Sequence, residues 1–180
     1  VKCYLMNSFN QKNNNFSLMS IDSNKLENKE IMEICMLKDQ QWKFGIKKQL
    51  KWFKNNIKKQ DIHNMFYIKS KLVGYTLLRK RTCEVKKTKK KIKYLLFDTL
   101  IINKKYKGIK LSNLLMSFNN AVIKQEKLFS FLICNDKLVN FYKKNHWVKL
   151  NKKYIDIVDH LFSTNGMIFN TKNFDKKYFF

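Results

Sequence analysis

The run Asn103-Lys104-Lys105-Tyr106-Lys107-Gly108-Ile109-Lys110 lies between an apolar segment ending at Ile102 and a helical periodicity opening at Leu111. A strand that ends in a basic, Gly-containing loop and then opens a helix can do one kind of chemistry. Backbone N–H groups at a helix N-terminus are unpaired and carry partial positive charge. Gly108 lets the main chain approach a ligand closely, and Lys107 and Lys110 add charge, with Lys105 peripheral. Such a loop can hold a phosphate or pyrophosphate; a strand–Gly turn–helix is also often only a turn. The other reactive residue types are scattered. Cys3, Cys35, Cys83 and Cys134 show no Cys-x-x-Cys or Cys/His ligand spacing, so no metal site is expected and free thiols in a reducing compartment are. Cys134 closes an apolar segment and reads as a small hydrophobe rather than a nucleophile. His63 has an intrinsic pKa suited to proton transfer, but its setting reads as a surface histidine.

The elements that must position these residues follow from periodicity. Phe16 to Ile21 alternates as a first strand, after a ragged lead-in over residues 1–15. Asp22-Ser23-Asn24 forms a turn or N-cap cluster, and Ile31, Ile34, Cys35 and Leu37 follow at helical spacing. A break near Asp39–Gly45 precedes a second amphipathic helix with Ile46, Leu50, Phe53 and Ile57 on one face. Three β-type segments come next: Met65–Ile68, Leu72–Val85 and Tyr94–Ile102, with turns at Lys69–Lys71 and at the lysine run Lys86–Lys91. The helix after the basic loop buries Leu111, Leu114, Leu115, Phe118 and Val122. Leu128–Cys134 is a buried strand, Asn135–Asn145 a short helix, and Trp147–Leu150 a strand. Asp159–Gly166 is a loop before a last strand, Met167-Ile168-Phe169. The order β-αα-βββ-α-β-α-ββ is α/β with a mostly antiparallel front.

Two stretches resemble a known family. Asp98 to Met116, which contains Tyr106, Lys107, Gly108, Lys110 and Ser112, resembles the acetyl-CoA-binding motif of the GNAT superfamily of N-acetyltransferases. The family pattern is a strand, a tyrosine, then Arg/Gln-x-x-Gly-x-Gly/Ala at a helix start. Lys107 stands at the Arg/Gln place, Lys110 at the first Gly and Ser112 at the final Gly/Ala. Gly108 keeps the family's frequent extra glycine, and Lys104 replaces the usual Pro. The missing middle glycine is tolerated if Lys110 keeps a negative φ. Downstream, Asn135 to Trp147 is similar to Asn-x-x-Ala-x-x-Phe-Tyr-x-Lys-x-Gly-Phe, with Val139, Asn145-His146 and Trp147 departing from it. The resemblance covers about residues 16–170.

The resemblance implies a single GNAT-like domain over 16–180: an α/β fold whose mixed, mostly antiparallel sheet contains a splayed parallel pair, strands 94–102 and 128–134, with helices on both faces. It implies acetyl-CoA as co-substrate, its pantetheine arm paired with Leu100, Ile101 and Ile102. Its pyrophosphate would lie on the amides of Lys107, Gly108, Ile109, Lys110, Leu111 and Ser112, with Asn135 near the pantetheine end. Tyr142 is then the general acid that protonates the departing thiolate; a packing aromatic is the other reading of it. Asp98 is the first candidate for the base that takes the acceptor's proton, and a buried, hydrogen-bonded structural carboxylate is the alternative. Glu33, Asp61 and His63 follow as weaker candidates. Direct acetyl transfer to the primary amine of a small molecule, an amino sugar or related metabolite, is the implied reaction. Trp42, with Gln40, Gln41, Lys43 and Phe44, either faces the acceptor or anchors the helix pair.

Composition bounds these expectations. The chain has 180 residues, with 38 Lys+Arg against 13 Asp+Glu and a net charge of +25. Its length fits one domain, and 44% hydrophobic residues exclude a disordered polybasic tail. The charge invites a second reading, a nucleic-acid-binding protein using Lys86–Lys93 and Lys104–Lys110. Yet Arg79 and Arg81 are the only arginines, Pro is absent, and Asn, Ile, Phe and Tyr are abundant. Much of the lysine excess therefore reads as AT-rich coding on a solvated surface, and nucleic acid is not the expected partner. A third reading is a GNAT-like domain that binds acyl-CoA without catalysis. No apolar run approaches the ~20 residues of a membrane span. The chain opens on Val1 without a secretory apolar region, so a shortened start, a cytoplasmic location and a monomer or homodimer are expected.

Overall fold

The computed structural model describes residues 16–156, 165–171 and 178–179. The lead-in expected over 1–15 lies outside these residues, as does 159–164 of the expected loop; Asn165 and Gly166 already belong to a strand. The described chain forms two compact units, one of residues 16–79 and 98–119, the other of 80–97 and the described residues from 120 onward. Two long strands, β3 (Lys71–Val85) and β4 (Lys90–Ile102), contribute to both.

In the first unit β1 (Phe16–Asp22) leads into α1 (Asn28–Trp42) and α2 (Ile46–Asn56), followed by β2 (Ile62–Ile68). α1 starts on a capping box. The Glu27 side chain accepts from the backbone at Glu30, and the Glu30 carboxylate accepts from the Glu27 N–H at 2.9 Å, which satisfies two orphan donors. It ends where Lys43 turns left-handed (φ 42°), and Gly45 (φ 85°) carries the chain into α2. The β2–β3 hairpin turns on Lys69 and Ser70, both at positive φ, the twist that flanking strands require. Ile34, Cys35 and Leu37 from α1, Phe53 from α2, and Met65, Tyr75 and Leu77 from the strands form one buried cluster with Ile101. Gly74 is required for space. A Cβ there would lie 2.9 Å from Ile102 Cδ1 and 3.1 Å from Leu115 Cδ2. Leu115 belongs to α3 (Leu111–Gln125), whose first turns lie in this unit.

In the second unit β5 (Ser130–Cys134) is followed by α4 (Asp136–Lys144), β6 (Val148–Lys149), β7 (Ile155–Asp156), β8 (Asn165–Phe169) and β9 (Tyr178–Phe179). Trp147 is its largest buried side chain. It stacks on Phe169 at 5.5 Å and packs against Phe97 at 5.6 Å, and its indole N–H donates to Asn120 Oδ1 at 3.0 Å. The tryptophan in the place of the family's Phe is thus fixed by both an apolar stack and a satisfied polar handle.

Hydrogen-bonded strands follow the order β1-β2-β3-β4-β5-β8-β6, with β7 and β9 off this path. The ladder of β1 with β2, and those of β8 with β5 and β6, are antiparallel; β4 and β5 are parallel. The mixed, mostly antiparallel sheet and the expected β-αα-βββ-α-β-α-ββ order are both observed, with β6 and β8 as the final pair. Two short strands, β7 and β9, were not legible, because two-residue ladders carry no periodicity. Leu114, expected in the buried stripe of α3, is 38% exposed, and Met116 and Ile123 are buried in its stead. The stripe is turned by one position from the one the leucines suggested. Cys35, Cys83 and Cys134 are free and buried; Cys3 lies outside the described residues.

Candidate active site

The basic loop is built from local hydrogen bonds. Asn103 donates its N–H to the Val73 carbonyl at 2.7 Å, tying the end of β4 to β3. Its side chain accepts from the Lys105 N–H at 3.0 Å and opens a short 3-10 turn, Lys104–Tyr106. Gly108 then takes φ 89° and Lys110 φ 60° before α3 begins at Leu111. The expected negative φ of Lys110 is not observed. The residue standing at the family's middle glycine keeps the left-handed conformation a glycine would supply, at a strain of about 1–2 kcal/mol. His146, at the glycine of the downstream signature, does the same with φ 67°, where the Asn145 and Trp147 N–H groups both donate to the Tyr142 carbonyl. Lys107, Gly108, Ile109 and Lys110 are all exposed, and Leu111 and Ser112 are half-buried.

β4 meets β5 over a short length. The parallel ladder comprises Leu95↔Ser130 and Leu96↔Phe131, braced by Ser130 Oγ donating to the Leu95 carbonyl at 2.7 Å. β4 itself continues to Ile102. Asp98 is exposed as a residue although its side chain is only 22% exposed. Most of that exposed surface is therefore main chain, as expected of a strand residue with an open hydrogen-bonding edge. The same strand carries Leu100 and Ile102 half-buried and Ile101 buried.

Asp98 does not stand free. Arg79 Nη1 donates to its Oδ2 at 2.6 Å, Thr99 Oγ1 donates to its Oδ1 at 3.3 Å, and Arg79 Nη2 reaches the Asn56 carbonyl at 3.3 Å. The guanidinium lies 5.8 Å from the Trp52 ring centre, and the Lys38 ammonium sits over the same ring at 3.5 Å. Lys38 is 6% exposed, and burial brings it down to about 8; the Asp98 charge, then Cys35, works against that, and Arg79 adds to it. Lys38, Trp52 and Arg79 escaped the sequence reading. One signal existed: Lys38 lies on the Ile34–Cys35 stripe of α1, a lysine on a buried face. Trp42, by contrast, is 39% exposed and does not anchor the helix pair.

In the second unit Tyr142 is buried on α4, edge-on to Phe97 at 6.1 Å and to Phe141 at 5.2 Å. Burial, with a smaller push from Cys134, raises its phenol above the ordinary range, so it holds its proton at neutral pH. Among the described residues its hydroxyl has no hydrogen-bond partner. Asn135 is the N-cap of α4, yet its side chain makes no capping bond, leaving an exposed amide free. The Cys134 thiol is raised by burial, which disfavours the nucleophilic thiolate.

The weaker base candidates are placed elsewhere. His63 is buried rather than at the surface. Ser23 Oγ donates to the Asp61 carbonyl at 3.2 Å, so His63 Nε2–H donates to Ser23 Oγ at 2.6 Å and its Nδ1 accepts from Tyr75 Oη at 2.8 Å. With both ring nitrogens engaged and burial pushing its pKa down to about 3, His63 is a structural strut. Asp61 is buried and accepts the Lys58 N–H at 2.9 Å, bracing a turn. Glu33 borders a surface cavity with Tyr67, Glu27 and Glu30. Among the described residues no group of His, Cys, Asp and Glu could hold a metal ion, and no helix is long and apolar enough to cross a membrane.

No known family profile and no curated protein matches the sequence. Solved structures do match the fold. Escherichia coli ElaA superimposes with TM-score 0.62 at 14% identity, covering 85% of this chain and 98% of that one. An acyl-CoA N-acyltransferase from Pseudomonas aeruginosa gives TM-score 0.62 at 14% identity over 86% and 99%. The aminoglycoside 6′-N-acetyltransferase of Enterococcus faecium gives 0.59 at 9% identity over 83% and 95%. The chain thus has the GNAT-type N-acyltransferase fold.

Proposed function

We propose that this protein is an acetyl-CoA-dependent N-acetyltransferase that transfers acetyl directly to the primary amine of a small molecule. The observation that carries the reading is the short parallel ladder. β4 leaves its pairing with β5 after Leu96 and runs on to Ile102, and the main chain at Asp98 is exposed. An open strand edge offers N–H and C=O groups for a further ladder, and a pantetheine arm has amides that would pair with them at Leu100, Ile101 and Ile102.

The remaining residues fit that substrate. Positive φ at Gly108 and Lys110 supports a cradle made of the amides of Gly108 to Ser112 for a pyrophosphate; the Lys107 N–H is taken by the Lys104 carbonyl at 3.4 Å, so Lys107 would contribute its charge rather than its amide. The free Asn135 amide can hydrogen-bond the pantetheine end. Tyr142, kept protonated by burial, gives its proton to the sulfur as the tetrahedral intermediate collapses. The acceptor nitrogen loses a proton as it attacks. Asp98 takes it directly or through water, since Arg79 and Thr99 use only part of a carboxylate's four lone-pair sites. Cys134 forms no acyl-enzyme in this scheme.

The test is thermal stability with acetyl-CoA, CoA and a DNA oligonucleotide at low and high salt, followed by turnover with an amine panel. Selective stabilisation by the CoA species, with CoA release on adding an amine, is expected. No shift with either CoA species refutes the reading. Tight, steeply salt-dependent oligonucleotide binding in its place favours the nucleic-acid alternative, and CoA binding without turnover a non-catalytic acyl-CoA binder.

A further inference from the structure

A basic cavity opens in the first unit on the side of the sheet away from the candidate cradle. Successive strand residues point to opposite faces. Ile102 meets the Gly74 position beside Leu115 of α3, whereas Ile101 lies in the buried cluster with α1. α3, whose N-terminus carries the cradle amides, and α1 therefore cover opposite faces at the end of β4. The cavity is bordered by the C-terminal end of α1, the start of β3 and the 3-10 turn after β4, and Leu72 of the α1 cluster lies in its floor. Its volume, about 610 Å³, suits a small metabolite.

Four lysines line it: Lys43 after α1, Lys71 of β3, and Lys104 and Lys105 of the 3-10 turn. All four are exposed, and among the described residues none is in an ion pair. The carboxylate in the lining, Asp39, is engaged locally: its Oδ1 accepts the Gly45 N–H at 2.7 Å and closes the α1–α2 turn. The negative end of α1 adds about half a charge. More than two positive charges remain unbalanced. A run such as Lys86–Lys91 at a hairpin tip is only a solvated turn. These lysines differ, because three segments far apart in the chain bring them around one concavity with a buried apolar floor, Leu72 and Val73, and the half-buried Tyr106 at its side. Such a lining fits a ligand with a partly apolar body and a polyanionic head. A carboxylate would bring a single charge. A phosphate monoester brings about −1.5 to −2 at neutral pH and three acceptor oxygens, and lysine holds phosphate as a point charge.

We propose that this cavity binds a small phosphate ester at a site separate from the amide cradle. The proposal goes beyond the acetyltransferase reading and does not depend on it.

The experiment is calorimetric titration of the full chain in phosphate-free buffer at fixed ionic strength, with and without saturating CoA. Phenyl phosphate, glycerol phosphate and adenosine monophosphate are each compared with the neutral parent, phenol, glycerol or adenosine. At least one ester is expected to bind about tenfold or more tighter than its parent, and to do so equally when CoA is present. Replacing both Lys71→Gln and Lys104→Gln, which are exposed and outside the cradle, should weaken that binding about tenfold or more. The same charge loss on the β3–β4 hairpin, Lys87→Gln with Lys91→Gln, should change it by about twofold at most. Equal binding of esters and parents, no binding by any ester, equal losses in the two folded double variants, or displacement of the ester by CoA overturns the proposal. If CoA neither binds nor stabilises the chain, the acetyltransferase reading fails, and the cavity stands or falls with the Lys71 and Lys104 variant.

Discussion

Replacing Lys38 with Met converts a buried ammonium into an apolar side chain of similar volume, and the structure gives the size of the effect. In an unfolded chain the lysine titrates near 10.5; in the folded protein burial brings it to about 8. At 1.36 kcal/mol per pK unit that gap is at most about 3 kcal/mol, and solvent screening around the partly accessible ammonium leaves about 2–3 kcal/mol. The folded state binds its proton less tightly, so it carries fewer protons than the unfolded state between these values. Stability therefore rises with pH across that window: the penalty is full below about pH 8 and gone above about pH 10.5. Met has no charge to desolvate but loses the cation–π contact, worth about 1–2 kcal/mol. The variant should be about 1–2 kcal/mol more stable at neutral pH and lose that advantage near pH 10. Asp98 and Cys35 favour the charged form and Arg79 opposes it, while His63 feels the same charge, so the comparison is the difference between the two proteins at each pH. Urea unfolding at both pH values measures it. A difference that stays the same from neutral pH to pH 10 would refute the reasoning, because Lys38 would then not be held charged against its burial.

Gly74→Ala places a methyl 2.9 Å from Ile102 Cδ1, 3.1 Å from Leu115 Cδ2 and 3.2 Å from Phe66 Cβ; overpacking of about 1–3 kcal/mol should lower the melting temperature by several degrees, read by calorimetry. Lys110→Gly removes a left-handed strain of about 1–2 kcal/mol and adds about 0.4–1 kcal/mol of unfolded-chain entropy. It should raise the melting temperature by about a degree or two, and a fall would show that the lysine side chain is held by contacts. Tyr142→Phe keeps the ring packed against Phe97 and should leave acetyl-CoA stabilisation unchanged while cutting turnover about 10²–10⁴-fold; unchanged turnover would make Tyr142 a packing residue.

The amino-acid sequence by itself determined the order of the elements. Apolar stripes at helical spacing, alternating segments and lysine-rich turns are local properties, and they place β1 through β6 and all four α-helices within a few residues. The two signatures, around Lys107–Ser112 and Asn135–Trp147, are also local, so the candidate cradle and acid were legible. Conformation at the lost glycines was not. Lys110 and His146 take the left-handed backbone that their residue types disfavour, one at the entry to α3 and the other just after α4. Electrostatic partners were not legible either. Lys38, Arg79 and Asp98 are 19 or more positions apart in the chain, and only the packing of α1 against α2 and the strands shows that Asp98 is held by Arg79 while Lys38 is left with a tryptophan face. His63 read as a surface residue because nothing near it in sequence shows Ser23 and Tyr75 closing around its ring. Periodicity is written between neighbours, whereas burial and charge pairing are settled only when distant segments meet.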